Sequence, residues 1–115
     1  MVHIYGIKNC GTIKKTLNWF DENNITYTFH DYKKEPATED LISNWHSQTD
    51  WQEFVNKRGM TWRKMSQEEK DKVVDSQSAI EAMLTNNSLI KRPVISHKDG
   101  IVVGFNEEQL ATLFL

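Results

Sequence analysis

The first 32 residues change their hydrophobic period twice, and this restricts the fold more than any other feature of the chain. Residues 2–5 form a short β-type run, and residues 12–23 then carry apolar side chains at helical spacing. Residues 25–32 alternate again, which is typical of a strand. A strand, a helix and a strand joined by short links form a βαβ unit. We therefore predict two parallel strands with a right-handed crossover.

The rest of the chain divides into a helical middle and a second pair of strands. Residues 37–86 favour helices, and a capping-box pattern begins at Ser66. Residues 94–97 and 101–103 are predicted strands, and the Asp-Gly pair between them is a strong hairpin signal. Asn106 is placed to cap a last helix.

Length and charge exclude several classes of protein. A chain of 115 residues predicts one domain with a real core. No apolar run approaches the roughly 20 residues of a membrane span, and the N-terminus does not have the pattern of a signal peptide, so we expect a cytoplasmic protein. The net charge of −2 argues against a nonspecific nucleic-acid binder. We expect a monomer that contacts neither membrane nor nucleic acid directly.

Cys10 is the single cysteine, which rules out an intramolecular disulfide and a Cys-rich zinc site. The four histidines are scattered without metal-ligand spacing, so no metal is expected. Cys10 lies at or just before the first turn of the predicted helix, where unpaired N–H groups and the helix dipole favour a thiolate. The alternative is a buried, inert cysteine.

The residues around Cys10 favour reactivity. Gly11 has no side chain, so backbone N–H groups at Gly11 and Thr12 are expected to approach the sulfur. Lys8, Lys14 and Lys15 add positive charge nearby. Asn9 and Thr12 flank the thiol and are expected either to contact a ligand or to cap the helix.

Arg92 and Pro93 form a second candidate feature. A proline directly before a β-branched strand can adopt the cis form. If that strand lies beside the first strand, the permanently charged Arg92 reaches Cys10, lowers the thiol pKa and holds an anionic substrate. The alternative is a surface arginine next to a turn.

Several motifs together resemble the ArsC/Spx family, and its YffB branch most closely. The matching residues span 4–15 (IYGIKNCGTIKK), 30–34 (HDYKK), 56–59 (NKRG), 62–64 (WRK), 90–94 (IKRPV) and 103–106 (VGFN). The resemblance implies a single α/β domain over 1–115 with a thioredoxin-like mixed sheet, βαβ and then ββα. The core would comprise about 1–36 and 88–115, with a helical insertion at about 37–87.

The resemblance also implies a function, a thiol reductase with Cys10 as nucleophile and Arg92 as its partner beside a cis Pro93. It implies glutathione as co-substrate, no bound cofactor, and a glutathionylated or oxidised substrate. Positions that would bind the substrate or glutathione are Lys8, Asn9, Gly11, Thr12 and Pro93.

Two departures from the family patterns keep alternatives open. Arsenate reductases of this family use three arginines, but only Arg92 falls on such a position, while Asn56 and Gly104 occupy the others. Arg58 and Arg63 lie close to Asn56 in sequence. Spx-type regulators, which bind RNA polymerase, often carry Cys-x-x-Cys, whereas Ile13 stands at the fourth position here. Spx-like regulation and arsenate reduction are therefore the alternatives to thiol reduction.

Overall fold

The computed structural model describes residues 1–115 as four strands and six α-helices. The strands are β1 (Val2–Gly6), β2 (Tyr27–Asp31), β3 (Val94–His97) and β4 (Gly100–Val103). The α-helices are α1 (Gly11–Glu22), α2 (Glu39–Gln48), α3 (Met60–Arg63), α4 (Gln67–Asp71), α5 (Ser76–Thr85) and α6 (Glu107–Phe114), with 3-10 helices at Trp51–Phe54 and Asn87–Leu89. No helix is both long and apolar enough to cross a membrane.

The strands form one mixed sheet in the order β2-β1-β3-β4. β1 pairs in parallel with β2, which confirms the predicted βαβ unit, and antiparallel with β3. β3 and β4 form the predicted antiparallel hairpin, with His97 opposite Gly100. This mixed sheet confirms the α/β, thioredoxin-like fold that the resemblance implied.

The second strand begins later than predicted, at Tyr27 instead of residue 25. The N–H of Ile25 donates to the carbonyl oxygen of Phe20 at 3.0 Å, and Asn24 adopts a positive φ of 56°. These residues close the end of α1, because a left-handed residue after a helix lets the next N–H groups satisfy its last carbonyls. The alternation of apolar residues therefore starts before the backbone joins the sheet.

The chain separates into two compact units, which we call the sheet unit (Met1–Lys34 and Arg92–Leu115) and the helical unit (Glu35–Lys91). In the sheet unit, buried side chains of β1, β3 and β4 pack with those of α1 and α6. This core contains Val2, Ile4, Trp19, Phe20, Ile95, Val102 and Leu110. One face of the sheet is thus anchored by two helices, and α1 carries Cys10 at its start.

The helical unit has its own buried cluster. Trp45 and Phe54 stack with ring centroids 5.7 Å apart, and Met83 is fully buried. By contrast, α3 and α4 bury no residue. The capping box predicted at Ser66 is present, since its hydroxyl accepts the N–H of Glu69 and the Glu69 carboxylate accepts the N–H of Ser66.

Candidate active site

Cys10 is the N-cap residue of α1, as the sequence predicted. Its backbone is extended, with φ −114° and ψ 129°, and it follows the exposed turn that leaves β1. The side chain is partly exposed and forms no disulfide. A nucleophile here is open to solvent while it faces the unpaired N–H groups of the first helical turn.

Opposing effects act on the thiol, and the acidifying ones are stronger. Burial raises the pKa of Cys10, whereas the N–H groups of Ile13 and Thr12, followed by the Arg92 guanidinium, lower it. The resulting pKa of Cys10 lies below the ordinary value of a thiol. Hydrogen bonds and a nearby cation favour the anion, so the site enriches the thiolate, which is the nucleophilic form.

Position along the helix explains which N–H groups face the sulfur. The sequence pointed to those of Gly11 and Thr12, but the structure assigns Thr12 and Ile13. The side chain of an N-cap residue reaches the N–H groups of the second and third helical residues, and Gly11 is the first. A Cβ on Gly11 would meet nothing within 4 Å, so glycine is not required there for space.

Arg92 reaches Cys10 because β3 lies directly beside β1. Tyr5 of β1 pairs with Val94 of β3, and Arg92 precedes that strand across a cis bond to Pro93. The partly buried Arg92 side chain lies close enough to the thiol to lower the pKa of Cys10. The sequence predicted that Arg92 reaches Cys10 if its strand lies beside β1. The structure shows that β3 pairs with β1.

Gly6 is a residue of this site that the sequence did not single out. It is buried at the end of β1, and a Cβ there would lie 2.9 Å from Cγ1 of Ile13 and 3.9 Å from Cβ of Arg92. Ile13 is itself fully buried and cannot easily move aside. The missing side chain at Gly6 therefore permits the close approach of two residues that act on the Cys10 sulfur.

Tyr32 is the second residue that the sequence did not identify. It is 4% exposed, and its hydroxyl has no hydrogen-bond partner. Its N–H donates to the carbonyl oxygen of Gly6 at 2.9 Å. Burial and Tyr5 raise the pKa of Tyr32 well above its usual value, and Arg92 opposes them. A neutral phenol therefore lies within electrostatic reach of the guanidinium.

The remaining candidate residues surround Cys10 with differing exposure. Lys8 and Asn9 form the exposed turn before Cys10, and Thr12 is exposed in the first turn of α1. Pro93 is buried, and its carbonyl oxygen accepts the N–H of Gly104 at 2.8 Å. The structure contains no group of three or more His, Cys, Asp or Glu side chains suited to a metal.

The two other positions at which arsenate reductases of this family carry an arginine are 56 and 104, and their backbone surroundings differ. Gly104 adopts a φ of 90°, a conformation that residues with a side chain rarely accept. Asn56 belongs to the helical unit, where its N–H donates to the carbonyl oxygen of Leu89 at 2.9 Å. At position 104 the backbone itself disfavours an arginine.

Comparison with known proteins agrees with this geometry. The profile of the ArsC family matches residues 5–113. An uncharacterized protein of Haemophilus influenzae is 36% identical over 99% of both chains. A solved structure of a protein called YFFB superposes with a TM-score of 0.94 at 36% identity over the whole of both chains.

Two further relatives carry functional names. A solution structure of an arsenate reductase (ArsC) related protein from Brucella melitensis has a TM-score of 0.77 and 40% identity, covering 99% of this chain and 95% of that one. The global transcriptional regulator Spx of Listeria innocua is 27% identical, over 96% of this chain and 84% of Spx.

Proposed function

The chain belongs to the ArsC family, and on that premise we propose that it is a thiol–disulfide reductase with Cys10 as its only nucleophile and glutathione as co-substrate. One observation carries the proposal. The Cys10 sulfur is partly exposed and faces two backbone N–H groups and the Arg92 guanidinium. This set of donors favours a thiolate that can attack a disulfide.

In the first step, the Cys10 thiolate attacks the glutathione sulfur of a glutathionylated substrate. A bond forms between Cys10 and that sulfur while the substrate disulfide breaks. The substrate sulfur leaves as a thiolate and takes a proton from solvent. Cys10 is then held as a mixed disulfide with glutathione.

In the second step, an external thiol must resolve the mixed disulfide, because the chain has no second cysteine. A glutathione thiolate attacks the bound glutathione sulfur and forms oxidised glutathione, and Cys10 leaves as a thiolate. Thiolates of lower pKa leave faster. The N–H groups of Thr12 and Ile13 and the Arg92 guanidinium therefore assist this step as well.

The surroundings of Cys10 supply groups for an anionic peptide. Arg92 offers a permanent charge and a planar set of donors suited to a carboxylate. Lys8 and Asn9 are exposed immediately before the nucleophile. We assign Lys8, Asn9, Gly11, Thr12 and the main chain beside Pro93 to binding glutathione in an extended conformation.

Intact-mass analysis after incubation with oxidised glutathione tests the proposal. The wild-type chain should gain one glutathione, reduced glutathione should remove it, and the matched variant Cys10→Ser should gain none. The pKa of Cys10, measured by pH-dependent alkylation, should lie below that of an unperturbed thiol. No adduct, or a pKa at or above roughly 8.5, overturns the proposal.

A second candidate function is that of an Spx-like partner of RNA polymerase, because the similarity to Spx extends over 96% of this chain. This candidate predicts that a polymerase subunit is retained equally by the wild type and by Cys10→Ser. Arsenate reduction has less support, since one of its three arginine positions is a glycine with positive φ. It predicts saturable arsenate turnover with glutathione that Arg92→Ala abolishes.

A further inference from the structure

The net charge of −2 conceals a concentration of positive charge at one edge of the sheet unit. β1 and β2 are parallel, and their last residues, Gly6 and Asp31, pair in register. The loop to Cys10 and the turn at 31–34 therefore leave the sheet at the same edge, where α1 also begins. We call the lysines of these segments the lysine rim, which consists of Lys8, Lys14, Lys15, Lys33 and Lys34.

The lysine rim is exposed and electrostatically unbalanced. None of the five lysines is in a salt bridge. The one acidic side chain within these segments is Asp31, whose carboxylate accepts the N–H of Lys33 at 3.0 Å, and the exposed Glu35 directly follows Lys34 in the chain. The five lysines thus outnumber these two carboxylates. Arg92, which lowers the pKa of Cys10, lies at the same edge.

Three of the other acidic residues of the sheet unit lie away from the rim. Asp21 and Glu22 are at the far end of α1. Asp99 is in the β3–β4 turn, which the antiparallel pairing of β3 with β1 places at the opposite edge. Glu107 and Glu108 begin α6 after β4, which runs parallel to β1 and ends at the same edge as the rim, but β3 lies between β4 and β1 in the sheet.

We propose that the lysine rim selects polypeptide substrates whose disulfide lies in an acidic segment. This inference rests on the proposed function and names the class of its macromolecular substrate. Clustered charge of one sign raises the local concentration and the association rate of oppositely charged partners. Lysine side chains are flexible point charges, so they suit acidic segments of varied sequence.

A set of three peptides tests the proposal directly. Each carries one cysteine as a mixed disulfide with 2-thiopyridine, flanked on both sides by Glu, by Gln or by Lys. Attack by Cys10 releases the same leaving group from each peptide, and stopped-flow absorbance measures the rate. At low salt we expect the order Glu, Gln, Lys, with about a tenfold or larger difference between the extremes. The difference should largely vanish near 1 M salt, where screening acts within about 3 Å.

A double variant and a matched control test whether the lysine rim causes the preference for the Glu peptide. Lys33→Gln with Lys34→Gln should slow the reaction of the Glu peptide several-fold and leave that of the Gln peptide unchanged. Neither residue takes part in the reaction at the sulfur. The matched control, Lys98→Gln, removes a lysine from the β3–β4 turn at the opposite edge and should change neither rate.

The outcomes separate this inference from the function on which it rests. If the wild type fails to react even with the Gln peptide, the proposed function itself fails. If all three peptides react equally at low salt, or if the double variant slows all three equally, charge selection is overturned and thiol reduction stands. If an oligonucleotide binds the rim at physiological salt and the double variant abolishes that binding, the rim serves nucleic acid and the proposal is wrong.

Discussion

The two units begin their helices in different ways. In the helical unit, nearly every helix starts at a side chain that accepts a backbone N–H; these N-caps are Thr38, Asp50, Ser66, Asp75 and Asn86. The one-turn α3 begins at Gly59 and is the exception. In the sheet unit, Asn106 caps α6, but Cys10 starts α1 without a conventional cap bond.

Charge in the first helical turn distinguishes α1 from three other helices. α2, α4 and α6 each carry two acidic residues there, which neutralise the positive end of the helix dipole. α1 carries none, like the shorter α3 and α5, although it is the longest helix of the chain and lacks the side-chain cap that α5 has. Its N–H groups and dipole therefore remain available to the Cys10 thiolate. The comparison shows that the N-terminus of α1 is poorly capped, which leaves its N–H groups free to stabilise the Cys10 thiolate. The missing cap lowers the stability of the fold.

Cys10→Ser provides the strongest test of this contrast. The variant should lose all thiol chemistry, yet its free energy of unfolding should rise by about 0.5–1 kcal/mol, because serine caps a helix better than a neutral thiol. Mass analysis after oxidised glutathione and urea denaturation measure the two effects. A clear loss of stability would contradict the interpretation of Cys10 as a poor cap.

The difference in free energy of unfolding between the wild type and Cys10→Ser also depends on pH. The folded-state pKa of Cys10 is depressed, so the thiolate contributes stability that is fully present above the unfolded pKa and is lost as pH falls through the folded one. The advantage of Cys10→Ser should therefore be largest at acid pH and shrink as the thiol ionises. A pH-independent difference would show that the thiolate receives no help from the helix.

Gly6→Ala tests how strongly the start of α1 acts on the Cys10 thiol, because the added side chain should move α1 away from β1. The new methyl group meets Ile13, so the variant should lose about 1–3 kcal/mol of stability and alkylate more slowly at neutral pH. Ile13→Val in the same chain should recover part of both losses. Gly11→Ala is the control, because its Cβ points into open space and should leave stability equal or higher.

Arg92→Met tests the contribution of the guanidinium separately from that of the helix. Without it, the pKa of Cys10 should rise, and alkylation near neutral pH should slow by about tenfold. Arg92→Lys should recover only part of the rate, since lysine lacks the planar set of donors. An unchanged pH profile for Arg92→Met would assign the thiolate to the helix alone.

Ser66→Ala gives the smallest expected effect and tests the other side of the comparison. It removes the cap of α4 and should lower the free energy of unfolding by about 1 kcal/mol. The alkylation profile of Cys10 should not change. Ser43→Ala, at an exposed position within α2, should leave the Cys10 profile unchanged and raise the free energy of unfolding by about 0.5 kcal/mol through helix propensity. A shift in the Cys10 profile would show that the helical unit influences the thiol.

Local features of the sequence predicted most of the elements that carry the site. The changes of period at 2–32 predicted the βαβ unit, and Ser66 and Asn106 predicted two helix starts. The start of β2 was missed, because an apolar alternation does not reveal where a helix finishes its last hydrogen bonds. The N–H groups at the sulfur were assigned one position too early along the helix.

The sequence by itself determined that a single cysteine lies at the start of a helix after a strand, since periodicity and capping depend on neighbours a few residues apart. Only the tertiary structure decided that Arg92 meets Cys10 and that Gly6 and Tyr32 belong to the same site. Those contacts depend on which strands lie side by side and in which register. That choice follows from the burial of residues distant in the chain, so no local pattern reports it.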